Sequence, residues 1–193
     1  MGDSATIAAA RGNRTVETVR GQLHKFMLIP LIEHHCRWFD AGPVAIAVEG
    51  RALGDAHDMV RGPSIHVFDA ARREEYLRFD LFGRVLHYHY ILNAQQHNIL
   101  WGYDPDANGP MLPWVIAALR ERLPVMLRRA GEPELAREVE EVGWDKSVLP
   151  AVEEAAASAL AAKPDDLERA REGMEWMARW KRIHPQFNTV DDD

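Results

Sequence analysis

The chain has 193 residues, and its hydrophobic content of 47% is ordinary for a globular protein with a single domain. Its formal charge of -7 argues against non-specific nucleic-acid binding, and its single cysteine excludes an internal disulfide framework. Because no apolar run approaches the roughly 20 residues of a membrane span, we expect a cytoplasmic protein without a membrane role.

The two ends of the chain differ in composition from its middle. Residues 1–14 are mostly small or polar and show no periodicity, and residues 188–193 end in three aspartates. Segments of this kind are typical of flexible tails. Residues 15–187 are therefore expected to form one domain.

The first structured segment is predicted to be helical. Apolar residues recur at helical spacing from Val16 to Leu31, with Thr15 as a helix N-cap and Pro30 as a kink. We therefore expect one or two helices over residues 15–40.

Strand periodicity replaces helical periodicity in the middle of the chain. Alternating apolar residues over 44–49 predict a short strand, which is followed by a predicted loop over 50–63. Residues 64–104 are rich in Ile, Val, Phe, Tyr and Leu, a composition that favours a pleated sheet. Short connections divide this region into the strands of an antiparallel meander, at 64–69, 75–82, 85–92 and 97–103. The predicted sheet has four or five strands.

Helical periodicity returns after Gly109. One apolar stripe runs from Leu112 to Leu127, with Pro124 as an interruption and Gly131 at its end. Three more helices are predicted, over 133–142, 145–162 and 164–183. The sequence thus predicts an α+β protein in which an N-terminal helix precedes the meander and the C-terminal helices pack on one sheet face.

The hairpin around Gly83 determines which side chains share a face of the sheet. A two-residue turn at Gly83 and Arg84 places Asp80 opposite His87. Directly opposed residues lie on the same face. One face then collects Leu77, Phe79, Leu81, Leu86, Tyr88 and Tyr90. The other face collects Tyr76, Arg78, Asp80, His87 and His89.

The polar face is the predicted functional site. Two histidines two residues apart, with Asp80 nearby, suit one divalent metal ion, either Fe(II) or Zn with an open coordination position. Without a metal, Asp80 would orient His87 as a general base. The substrate-binding residues would be Arg78, as an anion clamp, together with Tyr76 and His66. These residues predict a small-molecule enzyme, either a metal-dependent oxidoreductase or hydrolase, or a metal-free lyase or isomerase.

The positions of several further residues relative to the polar face depend on how their strands and turns pair. His66 can face either way, because the connection over 70–74 does not fix its register, whereas His97 is expected on the apolar face opposite Leu92. The segment Glu33-His34-His35-Cys36 cannot bind one ion as a unit if it is helical, because adjacent helical residues diverge. Glu33, His34 or Cys36 could still complete the site singly if their helix covers the polar face.

A role without catalysis is the alternative. The last helix carries Met174, Trp176, Met177 and Trp180, which cannot all lie on one narrow stripe, and an accessory subunit would use them to dock a partner protein. A homo-oligomer with the polar cluster at its interface is a third interpretation. We expect no nucleotide cofactor, because neither a Gly-rich dinucleotide loop nor a phosphate loop is present.

Overall fold

The computed structural model describes residues 22–25, 31–82, 86–95, 97–161 and 163–183. The predicted tails, 1–14 and 188–193, and the predicted turn at 83–84 lie outside the described residues.

One antiparallel sheet forms the centre of the fold. Six strands follow one another between Cys36 and Gly102, each paired with the next, and a short first strand pairs with the last. The strands are β1 (Gln22–Lys25), β2 (Cys36–Ala41), β3 (Val44–Leu53), β4 (Val60–Asp69), β5 (Glu75–Asp80), β6 (His87–Leu92) and β7 (His97–Gly102). Their order across the sheet is β1-β7-β6-β5-β4-β3-β2.

The described helices follow the sheet in the chain. They are α1 (Pro105–Asn108), α2 (Met111–Arg129), α3 (Pro133–Glu141), α4 (Leu149–Leu160) and α5 (Asp166–Ile183). The prediction of an α+β protein with an antiparallel sheet is confirmed. Pro124 lies inside α2 and does not divide it. Among the described residues, no helix has the length and apolar character needed to cross a bilayer.

The main core joins one sheet face to the helices. Buried sheet residues such as Ile46 and Phe79 belong to the same cluster as Val115 and Leu119 of α2. The ring of Trp114 also contacts that of Phe79, with their centroids 6.3 Å apart. Burial of an apolar side chain the size of Phe79 stabilises the folded state by about 1.5–3 kcal/mol. Residues of the helices thus share one core with residues of the sheet. Ala45, Ala47 and Phe68 form a separate, smaller apolar cluster.

The prediction of an N-terminal helix is wrong for the described part of residues 15–40. Gln22–Lys25 and Cys36–Ala41 are strands, and Glu33–His35 is one turn of 3-10 helix. The physical reason is tertiary, since every residue of β2 pairs with a residue of β3. Sheet pairing of this kind overrides the local helical spacing.

The strand count of four or five is also too low. The predicted loop over 50–63 is mostly sheet, because the ladder between β3 and β4 continues to the pair Leu53 and Val60. Pro63 suggests a break, yet it lies within β4, where its carbonyl accepts a hydrogen bond from the Leu81 N–H at 3.0 Å. The actual turn follows Gly54, whose φ of 95° is accessible to glycine.

Candidate metal centre

The pairing of β5 with β6 places the polar residues of the predicted site on one face. Asp80 is opposite His87 and Arg78 is opposite His89, as the sequence predicts, although residues 83–85 of the turn lie outside the described part of the chain. On the next strand Gly102 is opposite His87. Strand periodicity then directs both histidine side chains to the same side as Asp80.

Asp80 is the centre of this cluster. Its Oδ2 atom lies 3.3 Å from Nε2 of His87 and 3.2 Å from Nε2 of His89, while Ser64 Oγ donates a hydrogen bond to Oδ1. Burial alone would raise the pKa of Asp80, but hydrogen bonds from the two histidines outweigh it and hold the pKa well below its ordinary value of 3.8. Asp80 is therefore a carboxylate at neutral pH.

The second ring nitrogen of His89 is held by Asn98 on β7. Nδ1 of His89 donates to Oδ1 of Asn98 at 3.0 Å. In a neutral ring this places the lone pair on Nε2, which points at Asp80 Oδ2. Nε2 therefore donates to Asp80 only when the ring is doubly protonated, and in the neutral ring a metal ion between the two atoms would take the place of that proton. An outer partner of this kind is what commonly orients a histidine that binds a metal.

The spacing of the three side chains fits a metal ion. One ligand atom from each of Asp80, His87 and His89 lies within 4.8 Å of the other two. Ligand atoms about 2.0–2.1 Å from a tetrahedral ion are about 3.3 Å from one another, close to the 3.2 and 3.3 Å observed. Two of the three ligand separations thus already match those around a tetrahedral ion.

The site is shielded but not sealed. The side chain of His87 is 22% exposed and that of His89 is 12% exposed, whereas Asp80 is almost fully buried. Solvent therefore reaches the cluster from the His87 side. An ion that is partly shielded from water would interact more strongly with bound molecules, because the effective dielectric constant around it is lower than in bulk water.

A second group of charges lies beside the cluster on the same face. His66 Nδ1 is 2.7 Å from Glu75 Oε1, and its Nε2 is 3.4 Å from Glu49 Oε2. Arg78 binds both oxygens of Glu75, with distances of 2.8 and 2.6 Å from Nε and Nη2. Arg51 Nε contacts Glu49 Oε2 at 2.7 Å. We name these five residues the buried charge network.

The network keeps its carboxyl groups ionised. Burial would raise the pKa of Glu49 and of Glu75, but Arg51 on the first and Arg78 on the second, together with His66, lower each pKa to about 2. The guanidinium of Arg78 is thus bonded within the protein, and the contacts observed do not support its predicted role as an anion clamp.

Tyr76 does not lie on the polar face, so its predicted position is wrong. Val67 pairs with Leu77 whereas Phe68 pairs with Glu75, and Tyr76 is the extra residue of a β-bulge. The bulge turns Tyr76 into the apolar core, where its hydroxyl donates to Glu74. Glu75 takes its place on the polar face and contacts His66.

The remaining candidates lie away from Asp80. His97 is opposite Leu92, as predicted, and its Nδ1 contacts the Gln95 carbonyl oxygen at 2.5 Å. His34 and His35 contact Glu172 of α5 instead, and Glu33 is exposed. Burial, followed by the charge of Glu49, raises the pKa of the Cys36 thiol to about 12, which makes it a poor nucleophile.

Two groups that hold the cluster were not found from the sequence. Ser64 and Asn98 are both buried and contact Asp80 and His89 respectively. Alternation offers a signal for both, since Ser64 interrupts an apolar strand and Asn98 lies between His97 and Ile99. Each is a polar residue at a position that the sheet buries.

Comparison with known proteins identifies a family. No curated protein and no solved structure matches the chain. The family model described as Domain of unknown function (DUF7700) matches residues 38–156, more than half of the chain, and this range includes Asp80, His87, His89, Ser64 and Asn98. The protein therefore belongs to the DUF7700 family.

Proposed function

We propose that Asp80, His87 and His89 hold one divalent metal ion, either iron or zinc, and that the protein is a small-molecule enzyme. The observation that carries the proposal is the convergence of two imidazole nitrogens on one carboxylate oxygen, at 3.2 and 3.3 Å. Two histidines and one carboxylate leave coordination positions open for water or substrate, as in catalytic zinc and non-haem iron sites.

The surrounding residues orient the ligands in this proposal. Asn98 fixes the ring of His89 so that Nε2 faces the ion, and Ser64 holds the Asp80 oxygen that points away from the histidines. When bound, the ion would polarise a substrate oxygen or activate a water molecule or dioxygen. Substrate would approach from the exposed side of His87.

A metal-free acid–base site is the second candidate, and the ionised Asp80 favours it. The carboxylate would orient the ring of His87, which would accept a proton from substrate, as in a lyase or isomerase. The accessory-subunit and homo-oligomer interpretations stay predictions. Trp180, one of the proposed docking residues, is buried.

Elemental analysis of protein purified without chelator or affinity metal tests the proposal. Wild type should contain one more equivalent of iron or zinc than His87→Ala/His89→Ala. The control is His57→Ala, an exposed loop histidine, which should retain the wild-type content. Equal metal content in the wild type and the double variant, or wild type that stays metal-free after reloading, would overturn the metal assignment.

The open coordination position is tested on protein loaded with Co²⁺. Azide, a small anionic ligand, should change the visible absorption spectrum of the loaded wild type more than that of the loaded His87→Ala/His89→Ala variant, because it enters the position at Asp80 that a substrate would use. A spectrum that azide does not alter would indicate a closed structural site. The enzymatic interpretation would then be wrong even if the ion is present.

A further inference from the structure

A second set of ligand-type side chains lies near the β2 edge of the sheet. His34 Nε2 is 2.7 Å from Glu172 Oε1, and His35 Nε2 is 3.0 Å from Glu172 Oε2. One ligand atom from each of the three lies within 4.8 Å of the other two. The histidines belong to the 3-10 turn before β2, and Glu172 belongs to α5.

We propose that His34, His35 and Glu172 bind a zinc ion, separate from the ion proposed at Asp80. Two imidazoles and one carboxylate are a donor set that zinc uses when a fourth position is left for water or another molecule. The three residues lie outside the matched family range of 38–156, so this site is a feature of the segments that flank the family domain.

His34 and His35 converge on Glu172 at the point where the 3-10 turn ends and the extended backbone of β2 begins. In the observed turn the ring centroids of His34 and His35 are 4.5 Å apart, with both Nε2 atoms directed at Glu172. The backbone thus presents the pair as one unit.

The charge around the site favours a cation. A cavity of about 370 Å³ is lined by the three proposed ligands together with Asp165, Glu168 and Arg169. Including Glu172, three carboxylates face one guanidinium. If the histidines are left out, the net charge of these lining residues is therefore negative. The cavity also leaves space for the fourth ligand of the ion.

The exposure of the ligands supports a site that exchanges metal with solvent. The side chain of His35 is 8% exposed, whereas His34 is 67% and Glu172 is 42% exposed. Ligand atoms around a zinc ion are about 3.3 Å from one another. Each histidine nitrogen would therefore have to lie about 0.3–0.6 Å further from Glu172 than it does in the present contacts of 2.7 and 3.0 Å. The exposed side chains of His34 and Glu172 can make this adjustment, while packing holds His35 in place.

Zinc at this site would join distant parts of the chain. His35 and Glu172 are 137 residues apart in the sequence, and α5 also lies against β3, where Gly173 approaches the carbonyl oxygen of Ala52. An ion that binds only the folded protein shifts the unfolding equilibrium towards the native state. Binding should therefore raise the melting temperature, which is a readout independent of activity.

Zinc titration of the full chain by equilibrium dialysis tests the proposal in the His87→Ala/His89→Ala background, which lacks the first site. This protein should bind one zinc ion, and adding Glu172→Gln should weaken binding by at least about 100-fold, since a directly bound ligand matters more than an outer one. Adding Glu168→Gln is the matched control, because it lines the same cavity without belonging to the ligand set, and binding should persist.

The possible results separate this proposal from the first. Two zinc ions on wild type, with one lost in Glu172→Gln and the other in His87→Ala/His89→Ala, support both sites. One ion lost only in Glu172→Gln supports this site and contradicts the first. Binding that Glu172→Gln leaves unchanged, or a double histidine variant that folds and binds no zinc, overturns this proposal. If the double histidine variant does not fold, the zinc binding of wild type is compared with that of Glu172→Gln and of Glu168→Gln, and the same criteria apply.

Discussion

The Oδ2 atom of Asp80 lies 3.2 Å from Nε2 of His89, although the residue directly opposite Asp80 on the neighbouring strand is His87. One carboxylate oxygen thus meets both its direct and its diagonal neighbour, because residues two apart on a strand share a face. This convergence distinguishes a ligand set from a row of separate polar side chains.

Asn98→Ala should weaken metal binding about 10–100-fold, the usual cost of losing an outer partner of a histidine ligand. Without the Asn98 oxygen, Nδ1 of His89 loses the acceptor that fixes its tautomer and ring orientation. Competition with a chelator of known affinity measures the change. Asn98→Asp retains an acceptor and should bind more tightly than Asn98→Ala.

The control for this comparison is Asn108→Ala. Asn108 is exposed, its side-chain amide donates to the carbonyl oxygen of Asp104, and neither residue belongs to the proposed ligand set. Its removal should leave metal affinity unchanged. Equal affinities for wild type and Asn98→Ala would show that Asn98 does not orient a metal ligand.

Glu75→Gln should destabilise the protein by about 3 kcal/mol, because it removes the carboxylate that accepts two hydrogen bonds from the buried Arg78. Glu134→Gln is matched to it, since Glu134 and Arg137 form a pair of the same i,i+3 spacing on the surface. That variant should lose less than about 1 kcal/mol. Urea unfolding of metal-free protein measures both, and similar losses would argue against a stabilising role for the buried pair.

Stability should fall as the pH drops from about 4.5 towards 2. The pKa of Glu49 and that of Glu75 are lowered from 4.5 to about 2, so the unfolded chain takes up protons that the folded one refuses in this range. Each carboxylate thus contributes up to about 3 kcal/mol, fully present above pH 4.5 and lost as the pH approaches 2. Unfolding free energies measured between pH 7 and 2.5 test this, with Glu75→Gln expected to show the weaker pH dependence. A flat profile in the wild type would contradict it.

The Cys36 thiol should react about 1000-fold more slowly with iodoacetamide in the native protein than in urea at pH 8. Burial and the nearby Glu49 raise its pKa to about 12, and the thiolate is the reactive form. The thiol also donates to the Ile32 carbonyl oxygen, at 3.3 Å. Alkylation rates followed by mass spectrometry check this, and equal rates in both states would contradict the raised pKa of Cys36.

The register of the site could be predicted because it depends on local chemistry. Alternation over residues 76–82 and 85–91, joined at Gly83, is sufficient to place Asp80 opposite His87. One buried face excludes a shift by one residue, since such a shift would turn every apolar side chain towards the polar side.

Other parts of the site depend on contacts distant in the sequence. The bulge that exchanges Tyr76 for Glu75 depends on the pairing of β5 with β4, and alternation within β5 contains no sign of it. Glu49 approaches His66 through the pairing of β3 with β4, which continues through the segment predicted as a loop over 50–63. The 3-10 turn at His34 and His35 likewise results from the approach to β2, whose pairing partner follows it in the chain.

The most direct test of the central claim is an anomalous difference map, collected at the absorption edge of the metal found by elemental analysis, from a crystal of the purified protein. We predict a peak about 2.0–2.3 Å from Asp80 Oδ2 and from the Nε2 atoms of His87 and His89. After reloading with iron or zinc, a map without a peak at this position would contradict the assignment of a metal centre to Asp80, His87 and His89.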